Sequence, residues 1–137
     1  MSGTGAKERS EDLRASVQGV ISRKELRLEL ERGRVVLLDA QAPGWYEREH
    51  LPDALKMPDR DLEQRIAELV PDRSAEVFVY CWSETCSASA AAAAELRALG
   101  CRNVRRYAGG KRDWMEARLP IVTEAVRASQ GAGESGE

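Results

Sequence analysis

Two short apolar runs constrain this chain more than any other feature. Val35-Val36-Leu37-Leu38 ends at Asp39, and Val77-Phe78-Val79-Tyr80 runs directly into Cys81. Continuous apolar runs of this length read as parallel strands buried on both faces. Helical segments alternate with them. Ser22-Arg23-Lys24-Glu25 is a capping box, followed by Leu26, Leu28 and Leu30 and stopped by Gly33. Pro43 and Gly44 break the chain, and Leu51-Pro52-Asp53 makes a turn before a brief strand from Ala54 to Met57. Asp61 to Leu69 predicts a helix with Leu62, Ile66 and Leu69 on one side. Ser87 to Leu99 predicts an alanine-rich helix stopped by Gly100, Val104 to Tyr107 a last strand, and Lys111 to Ala117 a last helix. Strands alternating with helices specify an α/β fold, a central parallel sheet flanked by helices on both faces.

A chain of 137 residues fits one domain with its own core. The expected organisation is a flexible segment over 1–18, a domain over 19–122 and a flexible tail over 123–137, because both ends are rich in Gly, Ser and charge. A formal net charge of -2, with basic residues scattered among acidic ones, argues against nucleic acid as a partner. No segment has the roughly 18 continuous apolar residues of a membrane span, and Met1 to Ser10 lacks the apolar stretch of a secretory signal. The expected location is the cytoplasm, where the three cysteines would be free thiols.

Sites in open α/β sheets collect beyond the C-terminal ends of strands, where helix N-termini point. Cys81 sits at such a junction, followed by the loop Cys81-Trp82-Ser83-Glu84-Thr85-Cys86 and then the alanine-rich helix. Unpaired amides of the loop and first helical turn, with the helix dipole, are expected to stabilise a thiolate and lower the pKa of the Cys81 thiol. The same amides would hold a persulfide or a bound oxyanion. The alternative reading is a buried strand-end cysteine without chemistry.

Three separated segments resemble the rhodanese sulfurtransferase family. Leu37-Leu38-Asp39 with Pro43, Tyr46 and His50-Leu51-Pro52-Asp53-Ala54 is similar to its first signature, a strand ending in Asp followed by a His-Ile-Pro-Gly-Ala turn. Val79-Tyr80-Cys81 with Ser83 and Ser87 resembles its active-site loop. Gly100, Asn103-Val104, Gly109-Gly110 and Trp114 resemble its closing elements, and together the segments span about Ile21 to Val122. The resemblance implies a rhodanese-like sheet and a ping-pong reaction: Cys81 takes a sulfane sulfur from a small-molecule donor and passes it to a thiol or similar acceptor, without a cofactor or metal. The loop has the length of the family's sulfurtransferases. Related phosphatases have one residue more and end in Arg, where this loop ends in Cys86. The sequence departs from the family pattern at Gln41, Glu49, Asp53 and Glu84, and the loop carries no Lys or Arg. Glu84 at the rim would repel a dianion such as thiosulfate by roughly a kcal/mol.

Other residues carry two readings each. Cys86 is either a small residue starting a helix or a resolving thiol for Cys81, which would make the chain a thiol–disulfide redox protein. Trp82 is a lid over the thiol or a packing residue. Asp39 and Ser87 are candidate supporting residues, Asp39 chiefly by tying down loop amides. His50 reads as a hydrogen-bonding residue of its turn and Cys101 as a core thiol, while Lys111 and Arg112 either supply positive charge near the loop or, the preferred reading, form a solvated face. A non-catalytic module that binds a partner protein remains the alternative from another functional class.

Overall fold

The computed structural model describes residues 19–124. The expected flexible segment over 1–18, and the tail beyond residue 124, lie outside them. The elements run α1 (Arg23–Arg32), β1 (Val35–Asp39), α2 (Trp45–Arg48), β2 (Glu49–His50), β3 (Leu55–Lys56), α3 (Leu62–Leu69), β4 (Glu76–Tyr80), α4 (Ala88–Ala98), β5 (Asn103–Arg106), α5 (Gly110–Glu116) and β6 (Val122–Thr123). No helix among the described residues is long and apolar enough to cross a membrane.

Four strands form a parallel sheet in the order β3-β1-β4-β5, with Leu37 opposite Phe78 and Val77 opposite Val104. Alternate residues of the two apolar runs enter different cores. Leu38, Val77 and Val79 pack with Ile66 of α3 and Ala92, Ala93 and Leu96 of α4. Leu37, Phe78 and Tyr80 pack with Leu26 of α1 and Trp114 of α5. The lack of alternation in the sequence therefore reflects a sheet covered on both sides.

Capping signals act as expected at α1. The Ser22 hydroxyl accepts from the Glu25 amide at 3.1 Å, and Gly33 closes the helix in a left-handed conformation at φ 71°. The Glu25 carboxylate faces Arg105 at 3.6 Å. Two features escape the sequence reading: the four-residue helix α2, and a second small sheet in which β2 pairs antiparallel with β6, Glu49 opposite Thr123 and His50 opposite Val122. Strand β6 thus enters the stretch read as a tail by one residue. A single parallel bridge from Val20 to Arg106 adds a further turn of chain beside β5.

Candidate active site

Two buried anchors fix the end of β4. The Tyr80 hydroxyl donates to Asp39 Oδ2 at 2.6 Å and accepts from the Leu51 amide at 3.0 Å. Burial, with the Asp39 charge adding to it, pushes the Tyr80 phenol far above its ordinary range, so it stays a donor. Asp39 also accepts from the backbone and side-chain nitrogens of Gln41, both at 2.8 Å. Asp39 therefore ties down the loop after β1, as expected. His50 is likewise structural: its Nδ1 lies 2.6 Å from the Tyr46 carbonyl, and its ring stacks on Tyr46 with centroids 4.0 Å apart.

The loop after β4 is held from the opposite side by the start of α5. Lys111 N–H donates to the Cys81 carbonyl at 2.9 Å, and Arg112 N–H to the Trp82 carbonyl at 2.8 Å. This approach needs glycine. Gly110 has φ 69°, and a Cβ there would lie 2.6 Å from the Cys81 oxygen and 2.7 Å from the Trp82 oxygen. Within the loop, the Cys86 amide closes a turn on the Ser83 carbonyl at 3.0 Å, and the hydroxyls of buried Ser83 and exposed Thr85 lie 3.0 Å apart.

Cys81 is buried at 1% exposure, and its sulfur lies 3.5 Å from the Cys86 carbonyl oxygen. Burial pushes the Cys81 thiol above its ordinary value, and its hydrogen bond and charge coupling to Cys86 push the same way against donors on Ser89. Burial also pushes the Cys86 thiol up, but the hydrogen bond from Cys81 and the Ala88, Trp82 and Ser89 amides outweigh it and hold it below its ordinary value. The sequence expectation of a lowered Cys81 pKa is thus corrected. Donors at the start of α4 converge on both sulfurs, and the first negative charge settles on Cys86, the less buried one. Ser87 is exposed and its hydroxyl makes no cap bond; Ser89, two residues on and buried, is the serine that reaches the Cys81 thiol.

Beside these thiols lies a cleft of about 430 Å³ lined by Gln41, Ala42, Trp45, Glu49, Trp82, Cys86 and Lys111. Cys86, not Cys81, contributes to its wall. Lys111 is fully buried, which overturns its assignment to a solvated face. Its ammonium lies 3.3 Å from both the carbonyl and carboxylate oxygens of Glu49, and 5.2 Å and 5.4 Å from the ring centres of Trp45 and Trp82. A cation between two aromatic faces, with one carboxylate neutralising it, is a stable way to bury a lysine. Trp82 is half exposed and lines this cleft, so it is not a core residue. Glu84 lies elsewhere, in a groove shared with Ser83, Gly109, Arg112, Asp113 and Glu116. It does not line the cleft, and the repulsion expected from it is not directed there. Arg112 stays exposed and pairs with Glu116, while Cys101 is a core thiol beside Val104. Sequence reasoning missed Trp45 and Ser89, and raised Lys111 as a charge near the loop only to prefer a solvated face. The available signal was the pair Gly109-Gly110 immediately before Lys111, since glycine marks a close backbone approach.

A model of the family described as "Rhodanese-like domain" matches residues 22–117. Among curated relatives, the HTH-type transcriptional regulator Rv0324 of Mycobacterium tuberculosis is 34% identical over 110 residues, covering 80% of this chain and 47% of that protein. The thiosulfate sulfurtransferase PspE of Escherichia coli is 39% identical over 44 residues, covering 32% of this chain and 42% of that protein. The chain thus spans about half the length of the curated relatives it matches. Among solved structures, the BH2092 protein of Bacillus halodurans superposes with a TM-score of 0.71 at 18% identity, covering 87% of each chain. Matched over both strand-end signatures and the closing Gly-Gly and Trp, the chain belongs to the rhodanese-like domain family.

Proposed function

We propose that the chain is a sulfurtransferase or sulfur carrier that moves a sulfane sulfur through a persulfide on Cys81. The observation that carries this reading is the placement of Cys81 at the end of β4, its thiol engaged with Cys86 beside an aromatic-lined cleft. The family and the short stretch shared with a thiosulfate sulfurtransferase support it. The Cys86 thiolate takes the Cys81 proton, leaving Cys81 as the more basic and more nucleophilic sulfur. Cys81 attacks the donor's sulfane sulfur, the donor S–S bond breaks, and the remainder of the donor leaves with the electron pair. A thiolate acceptor then attacks the terminal sulfur of the persulfide and restores Cys81. The donor is a small molecule in the cleft that Trp45, Trp82 and Cys86 line, and the acceptor is a small or protein thiol. Free thiols at Cys81, Cys86 and Cys101 suit the reducing cytoplasm.

Brief exposure to a sulfane-sulfur donor, followed by intact-mass measurement, tests this. The chain should gain one sulfur atom, mapped to Cys81, and lose it to added thiol. A Cys81→Ala variant that loads and transfers at the wild-type rate refutes the proposal. The similarity to a transcriptional regulator favours a second reading, in which the sulfur state of Cys81 is read by a partner protein without turnover. Loading without multiple turnover under excess acceptor would select it.

A further inference from the structure

We infer that Cys86 resolves the Cys81 persulfide by closing a Cys81–Cys86 disulfide and expelling the sulfane sulfur as hydrosulfide, so that the chain reduces a persulfide as well as carrying it. This rests on sulfur loading at Cys81 as proposed above, and three observations carry it further. The Cys81 sulfur lies 3.5 Å from the Cys86 carbonyl oxygen, two bonds from the Cys86 Cα, so the two residues are already in contact across the six-residue loop. The two thiols also couple electrically, each shifting the other's ionisation. Cys86 lines the cleft while Cys81 is buried behind it, so a persulfide on Cys81 has Cys86 beside it and the cleft as the outlet for hydrosulfide.

The step balances within the protein and its donor. With an organic persulfide, the Cys81 thiolate takes the outer sulfur and the donor leaves as its thiolate. The departing donor thiolate takes the proton held by Cys86, and the Cys86 thiolate then attacks the inner sulfur of Cys81–S–SH. The Cys81–Cys86 bond forms, the bond to the outer sulfur breaks, and HS⁻ departs with the electron pair. The two protein thiols are oxidised by two electrons, and the sulfane sulfur is reduced by two. Hydrosulfide is a weaker base than an alkyl thiolate, which favours its departure over that of either cysteine. Attack within one short loop also replaces a bimolecular encounter by a positioned one. The amides of Trp82, Ala88 and Ser89, which favour charge on Cys86, supply the attacking thiolate at neutral pH. Cys101 cannot compete, since it sits in the core under α4. Resetting the pair needs a dithiol reductant.

The test uses the full chain, reduced and freed of reductant, with an organic persulfide and no acceptor thiol. Wild type should release sulfide stoichiometrically with chain and should end two hydrogens lighter, with a Cys81–Cys86 cross-linked peptide that a dithiol reverses. Cys86→Ser and Cys86→Ala should instead keep one added sulfur on Cys81 and release little sulfide. A wild-type chain that holds a stable persulfide and yields no cross-link overturns the inference while leaving sulfur loading intact. Absence of loading in wild type and in both variants overturns the loading proposal together with the inference. Because the decisive readout is made on wild type, misfolding of a variant does not rescue it.

Discussion

Replacing Gly110 by alanine gives a quantitative test of how the site loop is held. Two penalties act at this position. An alanine at φ 69° costs about 1–2 kcal/mol, because its Cβ crowds its own backbone. The Cβ would also sit 2.6 Å from the Cys81 carbonyl and 2.7 Å from that of Trp82, both backbone atoms that cannot rotate away. Relief requires α5 to shift, which stretches the Lys111 and Arg112 amide bonds to those carbonyls; overlap of this kind costs about 1–3 kcal/mol. Gly110→Ala should therefore destabilise the chain by about 2–5 kcal/mol. Gly33 is the internal control, since it shares the left-handed conformation at φ 71° but has nothing within 4 Å of its Cβ position. Gly33→Ala should show the conformational penalty alone, about 1–2 kcal/mol. Urea unfolding followed by circular dichroism reads both, and with a typical urea slope the two midpoints should separate by about 1 M. Equal shifts for the two variants would refute the idea that contact with the site loop is what demands glycine at 110.

The cleft's charge should set its response to anionic donors. Glu49→Gln leaves Lys111 uncompensated, so the thiosulfate KM should fall about fivefold at low salt, from roughly 1 kcal/mol of attraction, and less at high salt; Glu84→Lys, in a separate groove, should leave it unchanged. A response to Glu84→Lys alone would place the anion on the other side of the loop. In alkylation with iodoacetamide across a pH series, Cys86 should be labelled first, with a midpoint below the ordinary thiol value, and Cys81 only at higher pH. Peptide mapping that finds Cys81 labelled first would reverse the order of ionisation. Tyr80→Phe leaves the buried Leu51 amide without its acceptor and removes one of the two donors to Asp39 Oδ2, so it should lower stability by about 2–3 kcal/mol in the same urea assay. A loss within about 0.5 kcal/mol would mean that water replaces the hydroxyl.

The parts of this molecule legible in the sequence are those whose neighbours are local or repeated. Val35–Leu38 and Val77–Tyr80 announce buried strands because every position is apolar, and Ser22 and Gly33 mark the ends of α1 by their own backbone chemistry. The four-residue α2 and the two-residue strands β2 and β6 are too short to show a period, and β2 finds its partner across more than seventy residues. Lys111 reads as solvated because its charge is visible and its surroundings are not; Trp45, Trp82 and Glu49 reach it only after the sheet has assembled. The loop amides do lie near a cysteine, as the sequence predicts. The sequence assigns their effect to Cys81, whereas burial and a second sulfur, both products of the fold, decide which thiol ionises. Ser87 and Ser89 differ by two helix positions, and only the finished turn shows which one faces the thiol.

The bridge at Val20 has a consequence for how the sheet meets other chains. An open parallel sheet has two bare margins, each able to recruit a strand from a neighbouring molecule. At one margin β3 is only two residues long and carries Lys56, which is engaged by Glu47 at 3.2 Å. At the other, Gly19 and Ile21 cover β5 through Arg106, whose amide donates to Gly19 at 2.6 Å and whose carbonyl accepts from Ile21 at 2.8 Å. Those covering residues lie just outside the span 22–117 that the family model matches. A chain begun at residue 22 would keep all four strands, yet expose Arg106 as an unsatisfied template and remove buried Ile21 from the core. Its characteristic failure would be self-association through β5 and not unfolding, a hazard set by three residues that belong to no named strand.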